Sequence, residues 1–257
     1  MITAALVNEL RKKTGSGMMA CKKALVETDG NMELAIDVLR KNGAAKASEK
    51  SDRETTEGAV FIELSNGKGS ICALGCETDF VAINENFIAM GNEMLSKIVE
   101  NGTDAGKEAI IAALPQHIST IGENITLIGA QQVEGTTIGS YIHSNKKIGV
   151  ITVLEGGNQE VANDISMHAA AMNPQVLSPD EIDDALVAKE KEIWKEQLLT
   201  EGKPEKIIDN IMNGKEKKFR GENALMSQSF VKDPSMTVAE YAKSHGATIK
   251  QYIRLAT

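Results

Sequence analysis

The chain has 257 residues, 42% of them hydrophobic and 25% charged, which excludes a disordered or collagen-like chain and, at roughly 150 residues per domain, points to about two domains. Aromatics are only 4% and Met numbers 11, so the core must be built mainly from Leu, Ile, Val, Ala and Met, which suits helix-rich packing better than an aromatic β-sandwich. The net charge of −8 excludes the basic footprint of a protein that coats nucleic acid, and it is uneven: residues 1–54 hold 10 basic and 8 acidic residues, net +2, leaving −10 for the remainder.

Thr3 is placed to cap a helix that carries Leu6, Val7 and Leu10 on one side, and Thr14-Gly15-Ser16-Gly17 breaks it. Met18, Cys21, Ala24 and Leu25 give a second helix its apolar stripe, and Asp29-Gly30-Asn31 turns the chain. Leu34, Ala35, Val38 and Leu39 then define a third helix that should stop at Asn42-Gly43. The pattern predicts a small three-helix bundle. Residues 44–57 are charged and weakly periodic, hence a linker or a solvated helix extension.

Ala59-Val60-Phe61-Ile62-Glu63-Leu64 and Ser70-Ile71-Cys72-Ala73-Leu74 are strand-like runs about a turn containing Asn66-Gly67, the pattern of a β-hairpin. Glu77-Thr78-Asp79-Phe80-Val81-Ala82 follows as a surface loop, leading into a helix with Phe87, Met90, Met94 and Ile98 on one face. The order then recurs. Gly139-Ser140-Tyr141-Ile142-His143, a polar turn over 144–147 and a run over 148–154 predict a second hairpin, with a helix over 160–172 behind it. A duplicated hairpin-plus-helix unit is inferred from this shared order. Between 178 and 219, Ile182, Leu186, Ile193 and Leu198 sit in a heavily charged helix; Gly202-Lys203-Pro204-Glu205 turns the chain, and Ile207, Ile208, Ile211 and Met212 follow. Two such helices should fold back as an antiparallel hairpin. The apolar pattern resumes at Leu225, Phe230 and Val231, and later at Tyr241, Ile249, Tyr252 and Ile253, so the hairpin reads as an insertion in the second half-repeat.

A catalytic constellation does not emerge. Gly102-Thr103-Asp104-Ala105-Gly106-Lys107-Glu108 is one residue short of a phosphate-binding loop and lacks the Ser or Thr that would hold magnesium. Three cysteines, Cys21, Cys72 and Cys76, argue against a disulfide framework. Cys72 and Cys76, four apart in an extended run, would stand about 13 Å apart, beyond the roughly 7 Å limit for bridging. His117, His143, His168 and His245 show no ligand spacing, and His168, on an apolar helix face, reads as a satisfied core histidine. The uncharged run 165–179 is too short to span a bilayer, and the N-terminus lacks the basic region of a secretory signal, so a reducing, cytoplasmic setting is expected. One loop remains open to two readings: Phe80 either folds back into the core or stands exposed beside Asp79.

Leu10-Arg11 with Thr14-Gly15-Ser16-Gly17-Met18-Met19-Ala20-Cys21-Lys22-Lys23-Ala24-Leu25, then Thr78-Asp79-Phe80-Val81-Ala82, resemble two signatures of the bacterial elongation factor Ts family, nucleotide exchange factors for the GTPase elongation factor Tu. Resemblance continues through His143 with Ile148-Gly149-Val150, Met167-His168-Ala169-Ala170, the helical hairpin and Gln228-Ser229-Phe230-Val231, essentially the whole chain. There are two departures. The 144–147 turn is one residue longer than the family's Gly-containing one, and the chain ends at Thr257 where the family usually continues into a further helical module, whose contacts should be missing here.

The resemblance implies an α+β protein with an N-terminal three-helix bundle of ubiquitin-associated type (1–54), a core subdomain N (55–138), a core subdomain C (139–177 and 220–257) and a coiled-coil hairpin (178–219). It implies that Thr78, Asp79, Phe80 and Val81 disturb the magnesium site of the partner GTPase, and that Arg11, Met18, Met19, Lys22 and His143 bind the partner. The partner would be elongation factor Tu, GDP-bound and nucleotide-free, with no direct nucleic acid and no membrane. No enzyme activity, cofactor or metal is implied. The rival reading is a ubiquitin-associated-type adaptor without exchange activity, which leaves the repeated core and the 78–81 loop unexplained.

Overall fold

The computed structural model describes residues 2–257; Met1, the first residue of the expected N-terminal bundle, lies outside the described residues. Three helices come first, α1 (Ala4–Thr14), α2 (Met18–Glu27) and α3 (Met32–Lys50). Thr3 Oγ1 accepts the Leu6 N–H at 3.2 Å. Val7, Leu10, Cys21, Ala24, Leu25, Ala35 and Leu39 form their shared core. Two residues of the expected stripes are outside it: Met18 is 54% and Leu34 53% exposed. Met18 lies on the row of Cys21, but at the end of α2 beside a turn so open that nothing comes within 4 Å of where a Cβ would stand at Gly15 or Gly17.

The third helix does not stop at Asn42-Gly43. Packing on a later helix overrides the local propensity, which at a helical glycine costs only about 1 kcal/mol. Ala47 rests against the neighbouring core cluster, and the Lys50 amine donates to the Gly122 carbonyl. Of the two readings of 44–57, the helix extension holds as far as Lys50.

Next come β1 (Glu57–Ser65) and β2 (Lys68–Cys76), joined by Asn66 and Gly67 at φ 52° and 72°. Both φ values are positive, as a two-residue hairpin turn of the primed kind requires. Then follow α4 (Asp79–Ala82), α5 (Glu85–Asn101), α6 (Thr103–Ile121) and β3 (Ile125–Glu134), which closes an antiparallel sheet in the order β1-β2-β3. Neither α6 nor β3 was legible in the sequence. The helix contains Pro115, and the register of β3 against β2 shifts at Ala73/Leu74, which breaks simple alternation. Of the glycines that mimic a phosphate loop, one ends a helix and the other permits a close approach. Gly102, at φ 76°, ends α5, and a Cβ at Gly106 would stand 2.7 Å from Ile98 Cδ1 and 2.9 Å from the Lys97 carbonyl oxygen.

The second half holds β4 (Thr137–Ile142), β5 (Ile148–Gly156), α7 (Gln159–Met172), α8 (Asp184–Thr200), α9 (Glu205–Asn223), β6 (Ser229–Phe230), β7 (Asp233–Thr237), α10 (Val238–Ser244) and β8 (Ala247–Ala256). Its sheet runs β4-β5-β8. Val60, Ile71, Ala73, Val133, Ile151, Val153 and Ile253 join the inner faces of the two sheets. Helices α5 and α6 cover the first sheet and α7 and α10 the second, so the mixed α+β core is layered helix, sheet, sheet, helix. The central strands β2 and β5 are each nine residues long, and each shifts register between its sixth and seventh residues, Ala73/Leu74 and Val153/Leu154.

The charged segment is an antiparallel helical pair, α8 against α9, held by Trp194 edge-on to Phe219 at 5.6 Å. Arg220 ties its base, donating to the Ile182 carbonyl at 3.1 Å and pairing with Glu216 at 3.1 Å. Ile182 is buried but precedes α8, α9 runs on to Asn223 rather than ending near 219, and Val231 is exposed although Phe230 beside it is buried.

His168 is a core residue with both nitrogens satisfied. Nδ1 accepts the Val231 N–H at 3.1 Å, which makes Nε2 the donor to Gln228 Oε1 at 3.0 Å. Burial lowers its pKa below the ordinary 6.5. The unfolded chain therefore takes up this proton first, and the stability contributed by neutral His168 should be lost as pH falls below about 6.5, by at most about 1.4 kcal/mol per pH unit until the folded value is reached. Urea midpoints at pH 7.5 and 5.5 should differ less for His168→Gln than for wild type; equal differences would exclude this linkage.

Candidate functional site

The segment expected to be a loop is a helical turn. Thr78 Oγ1 accepts the Val81 N–H at 3.4 Å and caps α4, while Asp79 Oδ1 accepts the Phe80 N–H at 3.0 Å. A helical turn separates its residues into faces. Ala82 is buried and Val81 packs partly buried on the first core cluster, whereas Phe80 is 78% and Ile83 79% exposed. Phe80 thus stands outside the core, and Val81 anchors the turn rather than sharing its outer face. Ile83, three residues on, extends the apolar surface of Phe80. It was missed in the sequence because it looks like the first apolar residue of the next helix.

Two short segments clamp this turn from beneath. Glu123 Oε2 accepts the N–H groups of Glu77 and Thr78, each at 3.0 Å, and Glu123 Oε1 accepts the Thr78 hydroxyl at 2.6 Å. In return Glu77 Oε1 accepts the Asn124 N–H at 2.6 Å, and Asn124 Nδ2 donates to the Arg53 carbonyl at 2.8 Å. Arg53 Nη1 stands 3.4 Å from Glu77 Oε1. Sequence reading passed over Glu123; an acid after the helix-ending Gly122, at φ 96°, looks like an ordinary solvated loop residue. Below the turn, burial pushes the thiols of Cys72 and Cys76 up to about 12, so they are inert packing groups.

His143 sits at the same end of the sheets. Glu57 pairs in register with Cys76, two residues before Thr78, and Lys147 Nζ reaches Glu57 Oε2 at 2.6 Å. Lys146 adopts a left-handed backbone (φ 59°), donates its N–H to the His143 carbonyl at 2.8 Å and accepts the Val60 N–H at 2.8 Å. The long turn is therefore ordered without glycine. His143 itself is exposed, with Nδ1 3.2 Å from Tyr141 Oη.

Arg11, Met18, Met19 and Lys22 are all exposed, Met19 at 74%. They flank the corner where α1 ends and α2 begins. Among the described residues no hydrogen bond or ion pair joins them to the Phe80 turn, whose clamp is tied instead to the end of α3 at Lys50 and to Arg53 just after it. Gln116 of α6 fixes the bundle in place, its Nε2 donating to the Thr14 carbonyl at 2.9 Å and to Ser16 Oγ at 2.8 Å. Among the described residues, no three His, Cys, Asp or Glu side chains stand together as a metal site, and no helix is long and apolar enough to cross a membrane.

A sequence model described as Elongation factor TS matches residues 77–257, from the clamped turn to the last strand. Elongation factor Ts of Marinobacter nauticus is 46% identical to this chain over 99% of it and 90% of its own length. Those of Aeromonas hydrophila and Vibrio vulnificus are each 43% identical, over 98% and 99% of this chain and 89% and 91% of their own. These relatives place the chain among proteins of translation elongation. The chain belongs to the elongation factor Ts family.

Proposed function

We propose that this chain is a guanine-nucleotide exchange factor: it binds elongation factor Tu carrying GDP, disturbs the GTPase's magnesium site, and releases GDP so that GTP can enter. The observation that carries this reading is the pair of large apolar side chains, Phe80 and Ile83, held outward on a capped and clamped turn. An isolated apolar pair on a rigid mount suits insertion into a partner. Magnesium in GTPases bridges phosphate oxygens and protein ligands, so displacing its surroundings removes interactions on which the nucleotide depends. By linkage, a factor that weakens nucleotide binding is itself bound more weakly when nucleotide is present, so GTP can drive it off. No bond of the nucleotide is broken, and the chain is not an enzyme. Its place of action is the cytoplasm, without direct contact to nucleic acid or membrane.

The division of labour follows the architecture. The 1–54 bundle, of ubiquitin-associated type, supplies affinity through Met18, Met19, Arg11 and Lys22. The units 55–138 and 139–177 with 220–257 are two copies of one α+β subdomain, and 178–219 is an insertion in the second. Support for the duplication comes from the matched register shifts and from Thr78 and Asn158, which cap the following helices at equal distances from their strand starts (68 to 78, 148 to 158). At matched positions the inward Val81-Ala82 corresponds to Val161-Ala162, while Phe80 and Ile83 correspond to Glu160 and Asn163. The apolar wedge is what distinguishes the first copy from the second. Release of labelled GDP from elongation factor Tu should accelerate with added factor and reach a plateau; release no faster than the spontaneous rate would overturn the reading.

A further inference from the structure

We propose that Glu123 is the positioning residue of the Phe80 turn, setting the direction in which Phe80 and Ile83 meet the partner; the inference rests on the wedge reading above. Three donors just before α4, the N–H groups of Glu77 and Thr78 and the Thr78 hydroxyl, converge on this one carboxylate. Thr78 Oγ1 then accepts from Val81 N, so the clamp continues directly into the turn that bears Phe80. On its inner side the turn is anchored by Val81 and Ala82, with Cys76 Sγ donating to the Thr78 carbonyl at 3.3 Å, and the Asp79 side chain bonds only locally, to Phe80 N. Glu123 itself cannot drift, because Asn124 and Ile125 after it are buried, the first held by Glu77 and Arg53 and the second opening β3. A side chain beneath the turn thereby decides where the two exposed side chains on it are aimed.

A charge-assisted clamp of this kind is stronger than neutral hydrogen bonds and fixes direction as well as distance. Alanine at 123 leaves the three donors without it. Glutamine retains one acceptor oxygen for the two N–H groups and can turn its amide toward Thr78 Oγ1.

The test is stopped-flow release of labelled GDP from elongation factor Tu over a range of factor concentrations, with a thermal melt of each free variant. Glu123→Ala should slow release at saturation about tenfold, with the half-maximal concentration moved less than about threefold. Glu123→Gln should restore most of the rate. Phe80→Ala combined with Glu123→Ala should be slowed by less than the product of the single effects, because the clamp acts through the wedge and only the aim of Ile83 is left to lose. Normal saturated release by a folded Glu123→Ala, or a double variant slowed by the product of the single effects, would overturn the positioning role. Should Glu123→Ala be unfolded at the assay temperature, Thr78→Val decides: slowed release supports the clamp and an unchanged rate overturns it. Unaltered release by Phe80→Ala would instead remove the wedge reading, leaving the two failures distinguishable.

Discussion

Phe80→Ala should slow GDP release from the saturated complex with elongation factor Tu by about tenfold, which corresponds to a loss of about 1.4 kcal/mol of coupling between factor and nucleotide. The melting temperature of the free protein should barely move. Truncating a Phe in a packed core costs about 3–5 kcal/mol, but this ring is 78% exposed and rests on a turn whose anchors are Val81 and Ala82. Adding Ile83→Ala should deepen the loss, since the two side chains form one surface. Asp79→Ala should act in the same direction more mildly, because an exposed acid at a wet interface contributes less than a buried aromatic. A Phe80→Ala protein that melts many degrees lower yet releases GDP normally at saturation would sink the mechanism.

Replacing Met18 and Met19 together by Ala should raise the factor concentration for half-maximal exchange by about tenfold or more, with the saturated rate nearly unchanged. Fully burying one Met is worth roughly 1.5–3 kcal/mol, and interfaces return only part of such burial as affinity. The split between the two parameters follows from geometry: the methionines sit at the α1–α2 corner, in helices with no hydrogen bond or ion pair to the clamped turn among the described residues, and do not contribute to the bundle core. The same titration distinguishes affinity from exchange, and a collapse of the saturated rate at unchanged half-maximal concentration would show that the corner acts on the nucleotide site. Arg11→Ala and Lys22→Ala should chiefly weaken the salt dependence of association, as rim charges do.

Much of the chain was readable from local chemistry. Thr3, the Asn66-Gly67 turn and the glycines at 15 and 17 act through their own backbone and immediate neighbours, and the elements they bound stand where their signals place them. The unbridged state of Cys72 and Cys76 and the satisfied state of His168 were likewise legible, the first from the spacing of the two thiols and the second from the apolar stripe on which the imidazole sits.

Other features belong to contacts between segments far apart in the chain. The continuation of α3 through Gly43 depends on its seat against α6, and α6 and β3 themselves took form from packing that their own residues signal weakly. Whether Phe80 turned inward or outward could not be decided locally, since a Phe after an acid fits either fate; the inward places on α4 are filled by Val81 and Ala82, which leaves Phe80 and Ile83 to solvent. The sequence by itself determined the family resemblance, the hairpins, the helical pair and the residues from which a site could be built. Only the tertiary structure decided that Glu123, 45 residues beyond Thr78, closes on it, because a hydrogen bond between distant segments depends on where the strands between them end, and no local pattern of residue types encodes that distance.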